Sequence, residues 1–271
     1  MTHGIAQSSM RSGSFDPGLQ IEFLKDTMDF RYGAGVFGPK PEYRSLDAIR
    51  PSLRDPNCEG PDPVYAIAMD VGRNEDRNDL KKRMLLFGIV MYASGRLGDG
   101  PVRSQGHVHV VSPHCGWSTP ELFEIWEGRA IIYAQEESAD DPGRCIAIEA
   151  GPGELVVMPP GWAHYVANAA ADSRLRFGAW CDRQYGFDYT PMRAHRGLAW
   201  FPLFTATSEI QWEANKNYSS STLRRRKARA YPEFGLSLAI PIYEYLRQDP
   251  EAIQWVSDPG RFSLLWPHFE P

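Results

Sequence analysis

The chain has 271 residues, 42% hydrophobic and 23% charged, with 22 prolines and 24 glycines. That supplies one large core or two modest ones, punctuated too often for a helix bundle or a coiled coil. The net charge of −5 argues against a dedicated nucleic-acid binder, and the longest apolar run, residues 84–93, is far shorter than the ~20 residues of a membrane helix.

The N-terminal stretch through Phe15 is polar and lacks the apolar segment of a secretory signal. Cys58, Cys115, Cys145 and Cys181 are widely spaced with no CxxC pair, which predicts free thiols and a cytoplasmic chain. Residues 1–60 are irregular and read as an N-terminal arm with a short helix over 45–53. Within the arm Gly33, Gly35 and Gly38 match GxGxxG, but Pro39 and Pro41 block the helix that a dinucleotide site must open.

Residues 61–195 carry β-prone runs at fairly even spacing: 64–69, 84–93, 107–111, 122–126, 130–135, 145–149, 154–158, 164–167 and 175–181. Turn signals such as Asp141-Pro142-Gly143 separate several of them. Many short strands predict an all-β sandwich or small barrel. Strand spacing is lost after Asp182, and residues 196–271 read as a partly helical extension packed on the barrel. Asp249-Pro250 is expected to open a helix through Trp255. The basic run 223–230 is expected to be a solvated helix face.

The histidines point to chemistry. His107 and His109 lie two apart in a β-prone run, so both rings share one face. Burying two imidazoles is costly unless their nitrogens are satisfied, and a divalent metal does that well. In the run 121–127, alternation puts Glu121, Phe123 and Ile125 on one face and Leu122, Glu124 and Trp126 on the other. Glu121, with two apolar neighbours, is expected to point inward. Thr119-Pro120-Glu121 can instead begin a helical turn, and Glu124 takes the role of Glu121 if the faces are exchanged. An apolar strand, the turn Pro159-Pro160-Gly161 and a returning strand form a hairpin that brings His164 over the sheet. Together these give three nitrogens and one oxygen, leaving positions open on a five- or six-coordinate ion. His114 is expected at the surface.

These residues resemble the cupin superfamily. Gly153, Pro159, Gly161, His164 and Asn168 fill every fixed position of its second motif, G(X)5PXG(X)2H(X)3N. His107 and His109 supply the HXH of the first motif, and Glu121 with Gly128 its E(X)6G. Eleven residues, 110–120, separate the two parts, more than in most cupins. Within the superfamily the chain is most similar to the cupin-type glucose-6-phosphate isomerases. The likeness rests on Ser104 through His109, on Pro159 through His164 with Asn168, on Gly186-Phe187-Asp188-Tyr189, and on stretches at 44–47 and 87–90. It covers roughly residues 40–195.

The resemblance implies a double-stranded β-helix, or jelly-roll barrel, and metal ligands at His107, His109, Glu121 and His164. It implies phosphate contacts at Ser104 and Gly106; Arg103 or Arg96 is expected to add charge. Val90, Phe123 and Trp180 stand where the family has polar contacts, and Tyr189 either closes the pocket mouth or forms a turn. The implied function is metal-dependent interconversion of glucose 6-phosphate and fructose 6-phosphate, or of a related sugar phosphate. It would use Fe, Mn, Ni or Zn, with Glu121 as the proton carrier, in a homodimer. The partner is a small sugar phosphate, with no nucleic acid or membrane. Two other readings stay open. One is another metal-dependent cupin enzyme such as a dioxygenase. The other is a sugar-binding cupin in which Trp117, Trp162 and Trp180 stack on the ligand.

Overall fold

A computed structural model describes residues 14–24 and 27–271. The start of the arm, residues 1–13, lies outside the described residues, as does most of the stretch read for a secretory signal. Two antiparallel-based sheets form the barrel. The strands of the larger are β1 (Glu42–Arg44), β2 (Tyr65–Met69), β3 (Leu85–Tyr92), β5 (Glu121–Glu127), β8 (Leu155–Met158) and β10 (Leu175–Asp182), in the spatial order β8-β5-β10-β3-β2-β1. The smaller contains β6 (Ala130–Gln135), β7 (Cys145–Ala150), β9 (Ala163–Asn168) and β12 (Leu223–Lys227), in the order β9-β6-β7-β12. A short pair, β4 (Val108–His109) with β11 (Phe187–Asp188), carries the histidine motif. The architecture is the all-β jelly roll that the resemblance implies.

Apolar side chains lie in three layers, which explains the long hydrophobic run. Every residue of β3 is buried. Leu86, Val90 and Tyr92 face the space between the sheets, while Leu85, Phe87, Ile89 and Met91 face outward under a second apolar layer. A strand covered on both faces needs no polar alternation. The outer layer comes from the chain's two ends. Phe23 of the hairpin Ile21–Leu24 with Asp29–Tyr32 packs edge-on against Trp126. From the C-terminal extension, Tyr243 stacks on Trp180 with ring centroids 5.4 Å apart, and Ile242 accepts the Trp180 indole N–H at 2.9 Å. The hairpin Trp200–Phe204 with Ile210–Ala214 follows on the other side, where Tyr133 packs against Trp212.

The predicted short helix in the arm is Leu46–Ile49, capped by Ser45, followed by a 3-10 turn over Arg50–Ser52. Two expectations change. The basic run 223–230 is not a helix face: β12 pairs in parallel with β7, and both Arg224 and Arg226 reach Glu270. Asp249-Pro250 opens successive 3-10 turns, Pro250–Ala252 and Gln254–Val256, without a side-chain cap. The division at residues 60 and 195 also leaves out barrel strands, since β1 and β12 are edge strands of the two sheets. All four cysteines are free, and no helix among the described residues is long and apolar enough to cross a membrane.

Candidate metal centre

Three strands and one bridge assemble the site. In β5, Glu121, Phe123 and Ile125 face the interior, while Leu122, Glu124 and Trp126 face the outer layer. Glu121 is thus the inward acid and Glu124 is not. Glu124 accepts the Trp126 indole N–H at 2.8 Å and the Ile242 backbone N–H at 2.9 Å. On β9, His164 is bound to His107 by reciprocal backbone hydrogen bonds of 3.0 and 2.9 Å. Gly106 precedes the pair at φ +88, and a Cβ there would meet Leu198 at 3.1 Å. Its part here is conformational: a left-handed residue turns the chain so that His107 meets His164.

His107 and His109 stack with planes 7° apart, and their Nε2 atoms lie 3.2 Å from each other. Nε2 of His109 and Nε2 of His164 each lie 3.3 Å from the Glu121 carboxylate Oε2. All four donor atoms fall within 4.8 Å of one another. Backbone carbonyls set the tautomers: His109 Nδ1 sits 2.8 Å from the Thr119 oxygen, and His164 Nδ1 sits 3.1 Å from that of Trp162. With Nδ1–H donating outward, each ring turns a lone pair inward, the outer support that metal-binding histidines use. Burial and the other two imidazoles push His107 well below its ordinary range, keeping it neutral. Burial pushes the Glu121 carboxyl up, but hydrogen bonds and charge from His109 and His164 outweigh it and hold the group well below the usual carboxylate range. An ion about 2.2 Å from two donors at right angles would span about 3.1 Å between them. The donor set therefore fits a divalent metal. His114 is exposed and stands apart from the set.

His107, Glu121 and His164 line a pocket of about 670 Å³, counted out to its open mouth. Ser104 and Tyr189 line it, as do Val90 and Phe123. Four expected contacts do not line it, Gly106 among them. Trp180 is fully buried in the outer layer, because the alternation that turns Ala179 and Cys181 inward turns Trp180 away. Arg103 points to the far side, where its guanidinium bonds the carbonyls of Ser52 and Ser104 and lies 5.0 Å over the Tyr165 ring. Arg96 covers Phe204. Nor do Trp117 and Trp162 line the pocket, so the tryptophan platform expected for a sugar-binding cupin is not assembled.

Sequence reasoning missed Arg44, Tyr65, Tyr92 and Cys181 as pocket residues. Cys181 donates its thiol to Glu121 Oε1 at 3.4 Å. Arg44 sits in a segment too irregular to show a face; its one signal was the likeness at 44–47. The inserted loop 110–120 folds back on itself, with Ser112 N–H bonded to the Trp117 carbonyl at 2.8 Å. Ser118 Oγ then donates to the His109 carbonyl at 2.6 Å and accepts from the Gly161 N–H at 3.0 Å.

No curated protein sequence matches the chain. Among solved structures, oxalate decarboxylase from Bacillus subtilis is 16% identical over 49% of this chain and 28% of that one, with a TM-score of 0.33. Vicilin from Corylus avellana is 12% identical over 48% of this chain and 33% of that one, also with a TM-score of 0.33. Each match spans a third or less of the solved chain. The family described as glucose-6-phosphate isomerase (GPI) matches residues 49–221, well over half of the chain and all four candidate ligands. The chain belongs to the glucose-6-phosphate isomerase family, in its cupin form.

Proposed function

We propose that the protein interconverts glucose 6-phosphate and fructose 6-phosphate, or a closely related aldose and ketose phosphate, with a divalent ion held by His107, His109, Glu121 and His164. The observation that carries this reading is the convergence of three imidazole nitrogens and one carboxylate oxygen on one point of a pocket in a chain of this family. Fe, Mn, Ni and Zn all accept such donors. When bound, the ion supplies positive charge beside the sugar carbonyl and stabilises the oxyanion that develops there.

The chain's own groups do the rest. His109 and His164 hold their lone pairs inward, and Phe123, Phe177 and Phe187 line the apolar side of the pocket. Ser104 presents a hydroxyl, and Tyr189 a phenol, which burial, with lesser charge effects, pushes up to about 12. Both remain hydrogen-bond donors to a phosphate or sugar oxygen at neutral pH. Glu121 is the carboxylate in the pocket and the candidate carrier of a proton between C1 and C2. Exchange with deuterated water distinguishes this route from one in which the hydrogen passes directly between the two carbons.

Purified protein loaded with Mn, Fe, Ni or Zn is expected to interconvert the two hexose phosphates in a coupled assay. Activity should fall to background on chelation and return when the ion is restored. Activity indifferent to the chelator, or none on any sugar phosphate, sinks the proposal.

A further inference from the structure

Arg44 has no part in the metal centre, yet it is the one arginine or lysine among the residues lining the pocket. It reaches the pocket through strand register. In the β1–β2 pair Arg44 stands opposite Tyr65 and Glu42 opposite Ile67, and cross-strand partners share a face. Tyr65 and Ile67 both line the pocket, so Arg44 is aimed inward while Tyr43, between them, is turned out and exposed.

Its donors are not used up by the protein. The Nε atom is buried with no hydrogen-bond partner among the described residues. Glu42, the acid on the same face, is exposed to water. The guanidinium carbon lies 6.0 Å from the centre of the Tyr65 ring. A buried guanidinium N–H without an acceptor is costly, and the planar fork of five donors matches a phosphate better than any other single side chain. Polar groups continue from it along one wall. Tyr65 stacks on Tyr92 at 5.0 Å, and Tyr92 neighbours Ser104. Tyr189 faces both Arg44 and the His107 ring, the latter at 6.1 Å. The wall thus runs from a guanidinium that neighbours the Tyr65 hydroxyl and keeps an unpaired Nε–H, toward the imidazole cluster.

Taking the proposed sugar-phosphate chemistry as given, we propose that Arg44 is the anion receptor of this pocket. It binds the phosphate group while the carbonyl end of the sugar lies at His107 and His164, and so makes the site select phosphorylated over neutral sugars. It also supplies a donor where Val90 supplies none, and takes the charge role expected of Arg103 or Arg96.

The test uses the full chain, with Arg44→Met and Arg44→Lys beside the parent. Calorimetric titrations with inorganic phosphate, glucose 6-phosphate and neutral glucose are run on metal-loaded and chelated protein. Phosphate affinity is expected to fall at least tenfold in R44M in both metal states, to recover in part in R44K, and to leave glucose binding and metal content unchanged. With turnover, KM should rise by the same factor while kcat stays within a few-fold. Should R44M fail to fold, Arg44→Gln replaces it with the same expected loss. R44M binding phosphate within twofold of the parent overturns the proposal, as does a parent that binds no phosphate once chelated. If no sugar phosphate is turned over but phosphate affinity still depends on Arg44, the isomerase reading fails and the anion receptor stands. If turnover is found and R44M leaves KM unchanged, the receptor fails and the isomerase reading stands.

Discussion

Glu121 and Glu124 lie three residues apart on one strand and are held in opposite states. Glu121 faces imidazoles that keep it ionised; Glu124 faces the apolar outer layer, where burial pushes its carboxyl up to about 8 against two hydrogen bonds from Trp126 and Ile242. That difference has a sign in stability. An unfolded chain releases the Glu124 proton near pH 4.5, whereas the folded chain keeps it until about 8. The stability it contributes is full below 4.5, declines by up to about 1.4 kcal/mol per pH unit in between, and is flat above 8. Glu124→Gln removes this slope. The amide oxygen can serve only one of the two N–H donors at full strength, so the variant should be less stable than the parent by about 1 kcal/mol at pH 5. By pH 9 it should be the more stable protein. Urea unfolding of both at the two pH values checks the crossing, and the difference cancels the groups they share; a constant offset between the curves would sink the prediction. The sequence showed which of the two acids points inward, because Glu121 shares its face with Phe123 and Ile125. It could not show that Glu124 is buried as well, since the covering group, Ile242, lies far along the chain in a segment with no periodic pattern.

Among the elements, the best-marked strands were also the most ambiguous. β3, and β10 from Phe177 to Cys181, are apolar on both faces because both faces are covered. That made them easy to recognise as strands and left no polar side to say which residues look into the pocket. The misplacement of Trp180 follows directly, and Gly178 beside it marks the closeness of that outer packing: a Cβ there would come within 2.3 Å of the Trp126 ring. The inserted loop 110–120 is the opposite case. Its sequence signalled only extra length, yet its closing residues brace the ligands. Ser118 bridges the strand carrying His109 and the turn before His164, and Thr119 fixes the tautomer of His109. Ser118→Ala frees both the His109 carbonyl and the Gly161 N–H. Metal affinity, measured by competition with a chromophoric chelator, is expected to drop about tenfold, as for other groups that orient ligands from behind. The loss in folding stability should be about 1 kcal/mol. Unchanged metal affinity would show that the loop does not support the site.

Across the whole molecule, a barrel recognised from its motifs is wrapped by ends that the motifs do not mention. The extension was hard to read for physical reasons. Its 3-10 turns are too short to carry a hydrophobic period, and its strand Leu223–Lys227 is mostly basic because edge position and acids, not apolar burial, hold it: Glu270 pairs with Arg224 and Arg226, and Glu149 with Arg225. Ile242 and Tyr243 tie the extension to the barrel at the outer face of the six-stranded sheet. The backbone of Ile242 accepts from Trp180 and donates to Glu124, while Tyr243 covers Trp180 and Phe87. Behind it, Phe234, Trp255 and Trp266 form an aromatic cluster of their own. Without the extension the six-stranded sheet would present Phe87, Trp126 and Trp180 to water, and the Glu124 carboxyl would lose one of its two donors and the Trp180 indole N–H its acceptor. A chain ending at Ala230 keeps every metal ligand, yet it should not behave as a smaller stable barrel. Near-UV circular dichroism should collapse while far-UV strand signal persists, a hydrophobic dye should bind, and the cooperative melting transition should vanish. A truncated chain that stays monodisperse and melts cooperatively within a few degrees of the parent would show that the barrel is independent of its wrapping.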